Sequence, residues 1–217
     1  MSQFDLGRVL EAIGAGIGYT VGLTVVAFLG GMILGFPVAL MRVSRIRVLR
    51  WIGTAYVEIC RGVPVVAWML LIFYGLADLI GTDPLVAAAV ALTVVATAYI
   101  AENYRAALLH VPLGQWEAAV SLGLTRRQLF WRIIAPQGVT IALAPSATYA
   151  IGLLKESAFA AVIGVSDIAF QARTLTQSGQ PGLATFAVAG VVYLLLSLPI
   201  AAAARTIDRR MRTRSAV

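Results

Sequence analysis

The chain has 217 residues, of which 60% are hydrophobic and 12% are charged, and its formal net charge is +7. Soluble domains are about half apolar and about a quarter charged, so this composition nearly excludes a water-soluble protein. The positive charge does not indicate a nucleic-acid binder, because the basic residues form short clusters between long uncharged runs and never a stripe with interleaved aromatic residues.

The first predicted element is a membrane-spanning helix over about 13–41. No charged residue occurs between Ala12 and Met41, and a crossing helix needs about 17–25 mostly apolar residues. No basic leader precedes this run, so we interpret it as a retained helix rather than a cleaved signal. Glycines spaced by four predict two faces on which another helix can approach closely, formed by Gly14, Gly18 and Gly22 and by Gly31 and Gly35.

Four further uncharged runs predict spans over about 62–80, 84–106, 137–165 and 183–204. The run from Gly62 to Ala77 is the shortest, so its span needs flanking residues or a thin bilayer. Lipid offers no partner to backbone amides, and long runs without alternation satisfy their own amides as helices. The sequence therefore predicts an all-α integral membrane protein with five transmembrane helices, forming a single domain over residues 1–217.

Arginines indicate the orientation of these spans. The connections that follow the second and fourth spans are poor in arginine: they carry Asp78, Asp83 and Asp167, with Arg173 as their one arginine. Because positively charged connections stay in the cytoplasm, we expect the amino terminus outside and the carboxyl terminus in the cytoplasm, with the basic tail as a topological anchor. The arginines lie after the first, third and fifth spans: Arg42, Arg45, Arg47 and Arg50; Arg126, Arg127 and Arg132; Arg205, Arg209, Arg210, Arg212 and Arg214.

The segment over about 114–134 is too charged to cross a membrane and too apolar for a solvated loop. Thr125 is placed to cap a helix, and Pro136 introduces the next span. We predict a short helix, a tight turn at Gly123 and a second helix, lying under the bilayer with an apolar face open to a partner. The apolar positions recur at helical spacing on both sides of the turn: Trp116, Ala119 and Leu124, then Leu129, Phe130 and Ile133.

This segment resembles the EAA loop of ABC-importer permeases. The residues that carry the resemblance are Glu117, Ala118, Ala119, Gly123, Ile133 and Pro136. In that family the loop forms a coupling helix that docks in a groove of a separate ATPase subunit. The family usually has leucine before the proline, where this chain has Ala135. The alternative interpretation is an amphipathic helix that rests on lipid.

Further motifs resemble the polar amino-acid branch of that family. One departure is Glu156, Ser157, Ala158 and Phe159, where the branch usually continues with threonine, serine and leucine; another is Thr148, where asparagine is usual. The motifs run through most of the chain: Thr20 to Thr24, Tyr56 to Pro64, Ala101 to Arg105, Val111 to Glu117 and Leu153 to Ser157.

The resemblance implies a type I ABC-importer permease bundle that forms the path for amino acids or similar small zwitterions. The implied partners are a cytoplasmic ABC ATPase dimer, a second permease subunit (identical or homologous), an extracytoplasmic solute-binding protein and membrane lipid. ATP and Mg would be bound by the ATPase, and this chain would hold no cofactor. The implied location is the bacterial cytoplasmic (inner) membrane, and which solute is carried stays open.

Two pairs of opposite charge are three residues apart, namely Glu58 with Arg61 and Glu102 with Arg105. Each pair can share a helix face and partly neutralise itself. We interpret them as ion pairs at the cytoplasmic ends of spans, with direct substrate contact as the alternative. Arg61, near Pro64, is a candidate for shaping an inner gate.

Lys155 and Glu156 follow the uncharged run from Ile133 to Leu154 and precede another apolar stretch. An ionisable group there is unfavourable unless it is paired or hydrated, so a role in the translocation pathway is the first hypothesis. The ammonium could attract a substrate carboxylate, and the carboxylate could attract its amine. The alternative is structural, with Lys155 bonded to helix carbonyls at a break in the span.

No enzymatic function is predicted. A P-loop needs glycine before its lysine, and the one lysine, Lys155, follows Leu154. Cys60 is the sole cysteine, and we interpret the lone His110 as a solvated or capping residue rather than a metal ligand.

Two other functions stay open: a self-contained secondary transporter, for which more spans and an internal repeat would be expected, and a membrane scaffold that binds another protein through residues 115–137.

Overall fold

The computed structural model of the chain describes residues 4–75 and 83–215. Those residues form helices joined by short connections, without any strand. The helices are α1 (Leu6–Val43), α2 (Arg47–Gly62), α3 (Val65–Gly75), α4 (Pro84–Leu109), α5 (Leu113–Ser121), α6 (Arg126–Leu129), α7 (Ala135–Glu156), α8 (Ile168–Gln177) and α9 (Gly182–Ser215), with a π-helical turn at Phe130–Ile134 and a 3₁₀ turn at Ser157–Ile163.

The prediction of an all-α membrane protein is confirmed. Four helical stretches within the described residues are long and apolar enough to cross a membrane, and a fifth crossing results if α2 and α3 form one broken span. Three predicted spans, 13–41, 84–106 and 183–204, lie within α1, α4 and α9. The span predicted over 137–165 covers α7 and the following 3₁₀ turn. Of the span predicted over 62–80, the structure describes α3, while residues 76–80, including Asp78, lie outside the described ranges.

The interface between α1 and α4 forms the centre of the bundle. A Cβ at Gly31 would lie 2.9 Å from Ile100, and one at Gly35 would lie 3.0 Å from the Ala101 backbone nitrogen. These two glycines therefore let the two backbones approach, as their spacing predicts. The other predicted glycine face is different, because Gly14, Gly18 and Gly22 have open space around them.

Helix α2 is amphipathic and is held across the ends of α1 and α4. Its buried residues, Gly53, Val57 and Cys60, lie on one face, and a Cβ at Gly53 would lie 3.0 Å from the Met41 and Arg42 side chains. The helix stops before Pro64, which has no amide hydrogen to continue it. Beyond that break α3 leaves at 103° to α2 and packs its buried Met69 and Ile72 on α4.

The carboxyl-terminal half consists of several helical segments with breaks between them. A π-helical turn precedes α7, and within it the Ala135 amide donates to the Phe130 carbonyl. This wider turn accommodates Pro136, whose ring would otherwise collide with the carbonyl four residues earlier. After α7 and the 3₁₀ turn, Gly164 at φ +95° reverses the chain. Helix α8 then packs on the amino-terminal part of α1 through Ile168 and Ala172.

Candidate functional site

Residues 113–134, which we call the elbow, form two helices joined by a tight turn. Gly123 adopts φ +72°, a left-handed conformation that glycine takes without steric strain. Thr125 then caps α6 in a reciprocal capping box: its amide donates to Gln128 Oε1 (2.9 Å), and the Gln128 amide donates to Thr125 Oγ1 (3.3 Å). The predicted turn and cap are confirmed, and both result from residues that are close in sequence.

The elbow has one buried side and one exposed side. Ala119 is buried in a cluster with Leu108, Leu129 and Ile134, and Ile133 is half-buried beside it. Glu117 and Ala118 are exposed, as is the apolar side chain of Leu122, at 78%. The predicted coupling residues therefore divide into a fixed set and a set that faces outward.

The elbow is tied closely to the two helices that flank it. Gly138 of α7 lies against Leu108 of α4, since a Cβ at position 138 would come within 2.6 Å of Leu108 Cδ2. Gln137 donates to Gln115 across the elbow (3.5 Å). Pro136, the last predicted coupling residue, is exposed in the first turn of α7. The elbow, α4 and α7 therefore form one close-packed unit.

An ion-pair network joins the ends of α1, α2 and α4. Arg105 binds Glu102 in a bidentate pair, with Nε–Oε2 3.0 Å and Nη2–Oε1 2.6 Å. Arg42, whose side chain is 10% exposed, also binds Glu102 Oε2 through its Nη1. The predicted pairing of Glu102 with Arg105 is confirmed, and sequence reasoning missed Arg42 as the third member.

The other predicted pair, Glu58 with Arg61, is not formed. Glu58 lies 3.7 Å from Arg42 Nη2 instead, and the Arg61 guanidinium lies over the Tyr99 ring, 5.1 Å from its centroid. Both residues are exposed on α2. Arg61 lies on the last turn of α2 and faces Tyr99 of α4, and Pro64 is an exposed residue at the break between α2 and α3.

A row of polar and aromatic groups, which we call the inner wall, consists of Arg61, Tyr99, Tyr149 and Glu156. Tyr99 stacks on Tyr149 with ring centroids 4.9 Å apart and 17° between the planes. The Glu156 carboxylate lies near the Tyr149 phenol, and both Glu156 Oε2 and the Tyr149 hydroxyl are buried without a hydrogen-bond partner among the residues described. The inner wall thus brings one cation, two stacked rings and one carboxylate together from α2, α4 and α7.

Lys155 and Glu156 are neighbours in sequence but face different surroundings. Lys155 is exposed and lines a cavity of about 370 Å³ with Gly190, Tyr193 and Ser197 of α9. Glu156 belongs to the inner wall. The two charges therefore do not form the single two-charge site that their adjacency suggested.

Asp167 is a buried acid that the sequence analysis used only for topology. It caps α8, accepting from the Phe170 amide through Oδ1 at 2.8 Å, while Oδ2 has no partner within the described part of the chain. Burial raises the pKa of Asp167 to about 6, and the hydrogen bond from Phe170 offsets part of that rise.

His110 does not contribute to a metal site in the structure as described. Its ring Nδ1 lies 2.7 Å from the Ala106 carbonyl oxygen, and it is the exposed residue that ends α4. Residues 4–75 and 83–215 contain no group of three or more metal-ligating side chains. The expected capping role agrees with this position.

Comparison with known proteins identifies relatives over almost the whole chain. Residues 10–213 match the family described as "Binding-protein-dependent transport system inner membrane component". The chain is 32% identical to the L-cystine transport system permease protein TcyB of Bacillus subtilis, over 92% of this chain and 86% of that protein. It is also 32% identical to the probable glutamine ABC transporter permease protein GlnM of Bacillus subtilis, over 90% of this chain and 91% of that protein.

A solved structure has the same fold. It is described as the crystal structure of an amino acid ABC transporter with histidines, and its TM-score with this chain is 0.88. The two share 30% sequence identity, and the match covers 97% of this chain and 100% of the other.

Proposed function

This chain belongs to the family of binding-protein-dependent transport system inner membrane components, and from that premise we propose that it forms the translocation path of an amino-acid importer. The resemblance to ABC permeases is confirmed at the level of the family, so the chain is a multi-pass membrane permease subunit. The carried solute is an amino acid or a similar small zwitterion, a choice that the cystine and glutamine permeases among the relatives support.

The elbow is the proposed contact with the ATPase. Its outward side offers Glu117, Ala118 and Leu122, while its buried side holds Ala119 and Leu129 against α4 and α7. A rigid helix that is seated in an ATPase groove would transfer the closing movement of the ATPases into these two spans. This division into an exposed and a fixed side is the observation that carries the proposal.

The elbow and the arginine-rich connections lie on the cytoplasmic side in the proposed orientation. The amino terminus then faces outside, where a solute-binding protein delivers the solute. This chain lies in the bacterial inner membrane, and a pair of ATPases binds ATP and Mg on its cytoplasmic side. The positive-inside rule supports this arrangement.

The inner wall is the proposed lining of the path. Arg61 and Glu156 offer opposite charges to the carboxylate and amine of a zwitterion, and the stacked Tyr99 and Tyr149 lie between them. A second permease subunit, identical or homologous, completes the proposed path. Arg61 and Pro64, at the break between α2 and α3, are the proposed gate.

The test is co-purification of an ATPase with the tagged chain, followed by Ala118→Trp in the elbow. Ala118 is exposed, so the bulky side chain should leave the bundle folded and prevent docking. Ala187→Trp is the matched control, since Ala187 is an exposed alanine of α9 outside the elbow. Loss of the ATPase with Ala118→Trp but not with Ala187→Trp is expected. Retention of a functional ATPase by both variants would refute the docking site.

A further inference from the structure

Helix α2 begins close to the end of α1 that carries Arg42. Because α1 is a spanning helix with Arg42 at its polar end, and Arg47 comes four positions after Val43, where α1 ends, the start of α2 lies at a membrane surface. At its other end α2 meets α3 at 103° across the break at Pro64. Its buried face, with Gly53, Val57 and Cys60, is fixed on α1 and α4. Rotation of α2 about its own axis is therefore set by the bundle.

The opposite face of α2 carries apolar side chains that no described part of the chain covers. Trp51 is 74% exposed and Val48 is 65% exposed, and Ile46 and Ile52 are exposed beside them. Tryptophan together with aliphatic residues is typical of the boundary between headgroups and acyl chains.

The same face is strongly and uniformly basic. Arg45, Arg47 and Arg50 are exposed, and none of them forms an ion pair with a residue in the described ranges. The sequence has no acidic residue from Arg45 to Val57, and the next one, Glu58, lies 3.7 Å from Arg42. The positive charge on this face therefore has no counter-charge among the described residues.

These groups surround an open cleft of about 580 Å³ lined by Arg47, Val48, Arg50, Trp51 and Thr54. We propose that this cleft binds the phosphate headgroup of an anionic phospholipid. The guanidinium groups of Arg47 and Arg50 pair with the phosphate oxygens, and Trp51 and Val48 contact the glycerol and the upper acyl chain. Charge complementarity at membrane-surface depth favours a lipid over a protein partner. The inference goes beyond the transport function and does not depend on it.

The test uses the full chain, with any subunits that co-purify, in nanodiscs of phosphatidylcholine. Phosphatidylglycerol or phosphatidylcholine brominated near the headgroup is added in steps, and the fluorescence difference between the wild type and Trp51→Phe isolates Trp51. Half-quenching of Trp51 is expected at a several-fold lower fraction of the anionic lipid than of the zwitterionic one. Arg47→Gln with Arg50→Gln should weaken that preference by about fivefold per arginine.

The matched control is Arg8→Gln with Arg173→Gln, which removes the same charge from exposed positions on α1 and α8. It should leave the quenching of Trp51 unchanged. Three results would each overturn the proposal. The two lipids could quench Trp51 equally, or neither could quench it because a protein covers the face. The Arg47 and Arg50 variant could also keep the wild-type preference. If that variant does not fold, the wild-type preference must still weaken as salt is raised, because salt screens exposed charges, and a salt-independent preference would overturn it.

Discussion

Gly16 of α1 lies directly against the backbone of Asp167, where α8 begins. A Cβ at position 16 would come within 2.6 Å of the Asp167 carbonyl carbon and the Ile168 nitrogen. One turn further along α1, Thr20 Oγ1 accepts a hydrogen bond from the Ile168 amide at 3.4 Å. These two contacts determine where the connection between α7 and α9 returns to the bundle.

We therefore predict that Gly16→Ala destabilises the protein, because the backbone it touches cannot move aside as a flexible side chain could. Overpacking of this kind reduces stability by about 1–3 kcal/mol. Gly14→Ala is the control, since Gly14 has open space and alanine favours a helix by about 1 kcal/mol over glycine. Thermal denaturation in detergent measures both, and equal midpoints for the two variants would contradict the close approach.

Asp167→Asn should change how stability depends on pH. The pKa of Asp167 is raised from 3.8 to about 6 in the folded protein, so the ionised carboxylate disfavours folding. As pH falls through 6 towards 3.8, the wild type takes up a proton and gains stability, whereas the asparagine variant keeps the cap and does not titrate.

The difference in thermal midpoint between the two proteins, measured at about pH 4.5 and about pH 7.5, checks this prediction. The wild type should lose stability relative to Asp167→Asn at the higher pH, by up to about 3 kcal/mol for two pKa units. A difference that does not change with pH would show that the carboxylate is not buried as described.

Glu102 should couple strongly to Arg42, while Glu58 should not. The Arg42 and Glu102 side chains are 10% and 25% exposed, whereas Glu58 is 66% exposed. A double-mutant cycle with Arg42→Gln and Glu102→Gln should give a coupling energy of about 1–3 kcal/mol. The cycle with Arg42→Gln and Glu58→Gln should give less than about 1 kcal/mol, because solvent screens that pair. Similar coupling in both cycles would contradict the network.

Thr125→Ala should loosen the elbow without unfolding the bundle. It removes the capping box with Gln128, a loss of about 1 kcal/mol that is local to α6. In the reconstituted transporter we expect ATP hydrolysis to continue while uptake per ATP falls. Thr140→Ala is the control, because Thr140 bonds only within α7, donating to the Pro136 carbonyl. A uniform loss of both activities in the two variants would argue against a coupling role.

Glu156→Gln and Lys155→Gln should differ in their effect on uptake. Glu156 is in the inner wall beside Tyr149, so losing its charge should lower the transport rate by roughly tenfold, as for an interaction of about 1.4 kcal/mol. Lys155 faces the cavity towards α9, and its loss should change the rate little. Uptake by proteoliposomes with a matched binding protein measures this, and normal transport by both variants would exclude the pathway role.

The sequence alone determined the features that depend on neighbouring residues. Uncharged runs of spanning length predicted the long helices, because lipid forces the backbone to satisfy its own amides. Gly123 and Thr125 predicted the elbow, since a left-handed turn and a helix cap are made within a few residues. Motif spacing around Glu117 and Ala118 indicated the family, because a motif is read from neighbouring residues.

Only the tertiary structure decided which distant groups meet. Spacing allowed Glu58 to pair with Arg61, but the packing of α2 against α1 and α4 brought Glu58 close to Arg42 and placed Arg61 on Tyr99. Adjacent Lys155 and Glu156 were separated because successive residues on a helix point in directions about 100° apart. The contact of Gly16 with Asp167 joins residues far apart in the chain, and no local pattern encodes such a pairing, because it depends on how the helices pack.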